Sequence, residues 1–132
     1  MLYVQLLKPN TRLINMKITS EMTDCAYKYA KQVFENKIHR AVAIDQIHQE
    51  SGMNKGSASD YISYFNLMRT GKSFTRGMKP DDIEIYLQNI KKDYGLKGLD
   101  YAITSIKNSI DFWESQTNPP NIKSINELLN SI

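Results

Sequence analysis

The residue types that most often bind metals or act as nucleophiles are scarce in this chain. It contains two histidines, His39 and His48, and one cysteine, Cys25. The histidines are nine positions apart, which on a helix puts them half a turn out of phase, so we expect no shared metal ion. Cys25 belongs to a segment with an apolar helical stripe, which favours a buried and unreactive thiol. A nucleophilic pair of Cys25 with a histidine stays open, although nothing in the sequence orients it.

Two other stretches contain residues that could bind a metal ion or a nucleotide, but each stretch also has a purely structural explanation. Asp81, Asp82 and Glu84 follow Pro80, and carboxylates in the first turn of a helix interact favourably with its dipole. The TGKS sequence at 70–73 lacks the upstream glycine and preceding strand of a phosphate-binding loop and indicates a helix end. The sequence therefore predicts no catalytic residue, no metal ion and no cofactor, and we do not expect an enzyme.

Positive charge is concentrated in the middle third of the chain. Between Lys37 and Lys79 there are seven basic and three acidic residues, whereas the net charge of the whole chain is only +3. A local basic surface of this kind is what phosphate binding needs. A solvated face with a few extra lysines would give the same count, so charge alone does not separate the two interpretations.

The hydrophobic pattern that positions these residues predicts a mainly α-helical domain of five helices. Ser20 is the expected N-cap of the first helix, and Gly52, Gly71 and Gly95 are expected to end the second, third and fourth. The predicted helices are, in order, about 20–36, 39–51, 54 or 57 to 70, 80–94 and 99–113.

The two ends of the chain are expected to flank a helical core, residues 19–116, within one domain. Leu2–Leu7 is apolar, a Lys-Pro-Asn turn follows, and Arg12–Ile18 roughly alternates. Residues 1–18 are therefore predicted to form a short β-hairpin or an extended arm. The NPPN sequence at 118–121 breaks the fifth helix, and residues 117–132 are predicted to be a tail with a short final helix.

The second helix, its Gly-containing turn and the third helix follow the local pattern of a helix-turn-helix, whose second helix enters the major groove of DNA. A helical projection places Ser59, Ser63 and Asn66 opposite the apolar stripe of the third helix, where small polar side chains can bond bases or phosphates. The same pattern is typical of an ordinary surface helix, and Asp60 would repel phosphate. The sequence hence favours a helix-turn-helix-like unit without requiring that it bind DNA.

Four short motifs occur in a fixed order between Met22 and Ser115. They are GMNKGSASDYI, F-x-x-M-x-x-G-x-x-[YF]-x-R, YL-x-NI-x-x-DYG and a helix ending near I-x-[FY]-[WY]-ES. In these motifs the chain resembles a helical module found upstream of the nuclease domain in bacterial HNH endonucleases and related restriction-type proteins. The resemblance implies a target-recognition or accessory module, with the metal-dependent chemistry located elsewhere. Two departures are the more acidic stretch GMKPDDIEI and the end of the chain at Ile132, without a nuclease part.

The outward face and the resemblance together define a set of candidate DNA contacts. Tyr64 is expected to be exposed enough to contact a base or sugar, whereas most other tyrosines are expected in the core. Basic residues at both ends of the third helix are expected to bind the phosphate backbone. The candidates are Lys55, Ser57, Ser59, Ser63, Tyr64, Asn66, Arg69, Lys72 and Arg76.

The sequence leaves two kinds of function open. The leading hypothesis is a module that binds double-stranded DNA, associated with restriction-modification or other bacterial defence. The alternative is a protein-interaction domain, such as a helical dimer or an inhibitor that docks onto a nuclease, because the fifth helix, the tail and the N-terminal arm carry apolar residues. In either case we expect a cytoplasmic protein with no membrane partner, since no apolar run is long enough to span a bilayer.

Overall fold

A computed structural model describes residues 17–132, and over this range the regular structure is helical. Five helices follow one another, namely α1 (Ser20–Phe34), α2 (Arg40–Ser51), α3 (Lys55–Thr70), α4 (Pro80–Glu114) and α5 (Ile122–Asn130). The predicted mainly α class is therefore confirmed. The hairpin or arm predicted for residues 1–18 lies almost entirely outside the described residues. Within the described range, no helix combines the length and apolar character that crossing a membrane requires.

Local side chains and glycines set the ends of the first three helices. The N-cap of α1 is Thr19, whose hydroxyl accepts the Met22 N–H at 3.2 Å. The prediction of Ser20 as N-cap was wrong by one position, because two hydroxyl residues stand side by side and the first one caps. Gly52 (φ 81°) and Gly71 (φ 73°) end α2 and α3 in the left-handed conformation, as predicted.

Helix α4 has a kink at Gly95. Its φ of 75° and ψ of −167° fall in a region of backbone space that is essentially open to glycine alone. The sequence predicted one helix ending at Gly95 and another running from about Leu99 to Trp113, and both helical segments are confirmed. They form one kinked element because helical structure continues directly on both sides of the glycine.

The core lies between α1, α3 and α4 and is rich in aromatic rings. Tyr27, Phe65 and Tyr86 are buried and pack edge to face, with ring centroids 5.3 to 6.3 Å apart. Such pairs stabilise a core by about 0.5–1.5 kcal/mol each beyond the burial of their area. Ala43 and Ile47 of α2 are fully buried as well, so α2 is held in place against α1 and α3.

The connection between α3 and α4 is anchored to the second half of α4. The Phe74 N–H donates to Ser109 Oγ at 2.9 Å, and the Phe74 carbonyl accepts from Trp113 Nε1 at 3.0 Å. Ile125 of α5 is fully buried against α4. The apolar tail that motivated the protein-interaction alternative is thus packed on the chain's own core.

Candidate nucleic-acid interface

The turn between α2 and α3 is built from two capping interactions. The Gly52 N–H donates to the His48 carbonyl at 3.0 Å, which closes α2. Asn54 then starts α3, its side-chain oxygen accepting the Ser57 N–H at 2.8 Å. Of the two starting points expected for α3, Asn54 is the N-cap, and the helix-turn-helix-like unit is present as predicted.

The outward face of α3 brings three of the predicted residues together. Ser59, Ser63 and Asn66 lie along this face, with Asn66 exposed and the two serines half-buried. Ser63 and Asn66 also line a groove of about 460 Å³ whose other wall is the end of α1, including Phe34 and Asn36. The face is therefore partly recessed and does not stand out from the molecule.

Arg40, the first residue of α2, lies across this outward face. Its Nη2 donates to the Ser59 carbonyl and hydroxyl oxygens at 2.7 Å each and to the Ser63 hydroxyl at 2.8 Å. No other partner for the guanidinium is found among residues 17–132. Arg40 is exposed, so Nε and Nη1 can donate outward while the two serines hold the group in place.

A different flank of α3 brings together Ser57, Tyr64 and Arg76. They line a groove of about 590 Å³ between α3 and the segment that precedes α4. Arg76 Nη1 donates to Asp60 Oδ2 at 3.3 Å on the same flank. The predicted residues therefore fall on two separate surfaces of α3, because Ser57 and Tyr64 lie well around the helix from Ser59 and Ser63.

Lys55 and Lys72 mark the two ends of α3. Lys55 is exposed and forms an ion pair with Asp45 of α2, with Nζ and Oδ1 3.1 Å apart. Lys72 is exposed just beyond the helix, and its carbonyl accepts a hydrogen bond from Ser105 Oγ at 2.6 Å. Its backbone is thus fixed while its side chain is accessible.

Tyr64 differs from its predicted exposure. Its side chain is only 6% exposed, and its ring packs against Phe74 with centroids 4.8 Å apart. The helical projection placed Tyr64 at the edge of the apolar stripe, but it did not include Phe74, which folds back from the following loop and covers the ring. Burial, with a smaller effect of Asp60, raises the pKa of Tyr64 to about 12, so the phenol is a neutral donor at neutral pH.

Arg69 is more buried than the basic rim expected from the sequence. Its guanidinium carbon lies 3.8 Å from the centroid of the Tyr94 ring and 5.2 Å from that of Phe34. Nε and Nη1 are buried, and no hydrogen-bond partner for them is found among residues 17–132. Sequence reasoning missed this packing because Arg69 sits next to the apolar stripe, and a guanidinium can be accommodated there by stacking on aromatic faces.

Sequence reasoning also missed the positions of Arg40 and Asp82. Arg40 was counted only as charge, although its place at the start of α2 puts it beside the serines of α3. Asp82 is 1% exposed, accepting from Tyr61 Oη at 2.5 Å and from Thr23 Oγ1 at 2.9 Å. Burial raises the pKa of Asp82, an effect that these two hydrogen bonds partly oppose.

The histidines and the cysteine have separate surroundings. His48 Nδ1 lies 2.9 Å from the Met53 carbonyl oxygen in the turn, whereas His39 is the N-cap residue of α2. Burial and then the nearby Glu50 raise the pKa of the Cys25 thiol, which favours its protonated form. Across residues 17–132, no three side chains of the His, Cys, Asp and Glu types are grouped closely enough to hold a metal ion.

Comparison with known proteins gives no relative: no family model, no curated protein and no solved structure matches this chain. The resemblance to a module of HNH endonucleases therefore stays a prediction.

Proposed function

We propose that this protein binds double-stranded DNA through the outward face of α3 together with Arg40, as a recognition or accessory module of a bacterial restriction or defence system. The observation that carries this proposal is the position of Arg40, which is held by Ser59 and Ser63 on the exposed side of the helix-turn-helix-like unit. The assignment to restriction and defence follows from the sequence resemblance alone, and a cytoplasmic location is proposed with it from the composition of the sequence.

A fixed arginine on this face suits the recognition of DNA. An arginine bonds guanine O6 and N7, or two phosphate oxygens, with two parallel N–H groups, and each such pair of a guanidinium includes Nη2. Because the serines hold Nη2, Nε and Nη1 stay available for single hydrogen bonds to a base edge or a phosphate, and less side-chain entropy is lost on binding. Asn66 is exposed nearby and can bond an adenine edge or a phosphate.

The distribution of charge around α3 supports the same proposal. Of the seven basic residues between Lys37 and Lys79, all except Arg69 are exposed. Three of them, Lys37, Lys55 and Arg76, form ion pairs with neighbouring carboxylates. Exposed ion pairs contribute little, typically below about 1 kcal/mol, so a phosphate can displace the carboxylate at modest cost.

The test is fluorescence anisotropy with labelled duplex DNA at two salt concentrations. Arg40→Ala is compared with Lys97→Ala, which removes a cation from an exposed position on α4. We expect the affinity of the wild type to fall steeply with salt, and Arg40→Ala to weaken binding by about 5- to 150-fold if Arg40 reads a base. Lys97→Ala should change the affinity by less than about 2-fold.

Two results would count against this proposal. The first is binding that does not respond to salt, because phosphate contacts release counterions. The second is an equal loss of affinity in Arg40→Ala and Lys97→Ala, which would indicate attraction to net charge with no role for the outward face of α3.

A further inference from the structure

The groove on the second flank of α3 combines several positive side chains in one concave surface. It has a volume of about 590 Å³ and lies between the N-terminal half of α3 and residues 76–79. Lys17, Arg76 and Lys79 line it and are all exposed. Asp60 is the only carboxylate among the described residues that line it.

The wall of this groove includes the phenol of Tyr64. Its side chain is 6% exposed, and its ring packs against Tyr61 and Phe74. This packing fixes the ring, so the direction of the hydroxyl is fixed as well. A phenol hydroxyl held at the wall of a groove can donate a hydrogen bond to a ligand there. Ser57, at the start of α3, adds a second hydroxyl to the same wall.

The ion pair between Arg76 and Asp60 shows how an anion would sit here. Asp60 Oδ2 lies 3.3 Å from Arg76 Nη1, at an exposed position where the pair contributes little to stability. An incoming anion with more oxygen acceptors than one carboxylate would take over the Arg76 donors and gain those of the lysines as well.

We propose that this groove binds a phosphate group, with Lys17, Arg76 and Lys79 supplying charge and Tyr64 and Ser57 donating hydrogen bonds. The inference rests on the proposed function only for the source of the phosphate, which we take to be the DNA backbone beside the outward face of α3. A free phosphorylated small molecule would present the same chemistry.

The experiment is a titration of the ¹⁵N-labelled protein, followed by two-dimensional NMR, first with inorganic pyrophosphate and then with a short DNA duplex. We expect pyrophosphate to shift the amide signals of residues 57–60 and 76–79, and Arg76→Gln to weaken its binding by at least about 5-fold. The matched control is Lys97→Gln, which also removes one exposed cation, but from α4.

Asp60→Asn gives the sharper test because it acts in the opposite direction. It removes the carboxylate that competes for Arg76, so pyrophosphate should bind about 2- to 5-fold more tightly. If the Arg76–Asp60 pair were purely structural, Asp60→Asn would not increase the affinity for pyrophosphate. All three substitutions are at positions that are exposed or half-buried, so the folded state is retained.

The outcomes separate this inference from the proposed function. Shifts at 57–60 and 76–79 with both ligands support the groove and the DNA backbone as its source. Shifts with pyrophosphate but not with duplex support the groove, with a free phosphorylated compound as the ligand, and count against DNA. The inference is overturned if pyrophosphate does not bind, or if Arg76→Gln and Asp60→Asn leave its binding unchanged. In that case duplex-induced shifts confined to the outward face would still support the proposed function.

Discussion

The two sides of α3 each hold one arginine, and the two arginines are in opposite situations. On the outward side Arg40 is exposed, with one nitrogen held by Ser59 and Ser63. On the inward side Arg69 is stacked against Tyr94 and Phe34, with two buried nitrogens for which residues 17–132 offer no partner. Both count equally toward the basic character of this part of the chain, yet only the outward one is exposed.

The neighbours of each guanidinium account for the difference. Around Arg69 they are aromatic rings, which attract a cation through their faces but accept no hydrogen bond in the plane of the group. Around Arg40 they are serine oxygens at the surface, which accept hydrogen bonds and leave the remaining donors to solvent. A count of charge between Lys37 and Lys79 therefore overstates the exposed positive charge by one residue.

Of the substitutions that test this difference between the two arginines, Arg69→Ala should have the largest effect. It removes the stem that packs on Phe34 and Tyr94 and leaves a cavity, so we expect a loss of about 2–4 kcal/mol in the free energy of unfolding. Arg69→Met keeps most of the volume and removes the unpaired donors, and should cost less than about 1.5 kcal/mol. Urea denaturation of both variants measures the difference, and equal midpoints for Arg69→Ala and wild type would show that the stacking is not stabilising.

The second prediction concerns the buried acid on the same inward side. Asp82→Ala leaves the buried Tyr61 hydroxyl without its acceptor and leaves Thr23 only the Thr19 carbonyl at 3.2 Å, so it should cost about 2–3 kcal/mol. Asp82→Asn can still accept from Tyr61, and its amide can donate to Thr23, so the loss should be below about 1 kcal/mol. Similar denaturation midpoints for the two variants would contradict this role of the acceptor.

The pH dependence of Asp82 has a definite sign. Burial raises the pKa of its carboxyl, so the folded protein takes up a proton more readily than the unfolded chain. The stability that this group contributes is therefore greatest at low pH and falls as the pH rises from its ordinary value of 3.8 through the raised one. The stability of wild type relative to Asp82→Asn should fall over that window and stay constant above it, as measured by urea denaturation at several pH values.

The fold followed from the sequence to a large extent because its signals are local. Apolar residues at helical spacing define the helices, and Gly52, Gly71 and Gly95 occupy the left-handed or glycine-only conformations that end or interrupt them. What could not be predicted was long-range contact. Nothing near Tyr64 in the sequence indicates that Phe74 covers it, and nothing near Arg69 indicates the rings of Phe34 and Tyr94.

A fourth prediction compares Gly98, which lies near Arg69 on the inward side of α3, with Gly56 in the first turn of α3. A Cβ at Gly98 would lie 2.5 Å from Tyr94 Cβ and 3.4 Å from Arg69 Nη1, because the kink at Gly95 brings these turns of α4 together. Gly98→Ala should therefore destabilise the fold by about 1–3 kcal/mol. Gly56→Ala, in the first turn of α3, meets only Asn54 Oδ1 at 3.4 Å and should be neutral or stabilising by up to about 1 kcal/mol. Thermal unfolding of the pair tests this, and equal shifts in Tm would mean that the kink relaxes.

The candidate site was predictable in part. The outward position of Ser59, Ser63 and Asn66 follows from helical periodicity alone, since it depends only on spacing within α3. Their contact with Arg40 depends on how α2 packs against α3, which no spacing within either helix specifies. The division of the candidates between two flanks follows in part from the same periodicity, since Ser57 and Tyr64 lie well around α3 from Ser59 and Ser63. The place of Arg76 on the second flank could not be predicted, because it depends on where its loop returns to α3.

The smallest effect is expected from a variant that removes hydrogen-bond acceptors of Arg40 but keeps its charge. Ser59→Ala/Ser63→Ala removes both hydroxyl acceptors but no charge, and stability should change by less than about 0.5 kcal/mol because the site is at the surface. Arg40 then keeps only the Ser59 carbonyl as an acceptor and is less ordered before binding, so DNA affinity should fall about 2- to 5-fold. In the Arg40→Ala background the serine substitutions should have no further effect, since the serines act through Arg40. Fluorescence anisotropy of wild type, Ser59→Ala/Ser63→Ala, Arg40→Ala and the combined variant measures these affinities. An equal loss of affinity from the serine substitutions with and without Arg40 would mean that the serines contact DNA themselves.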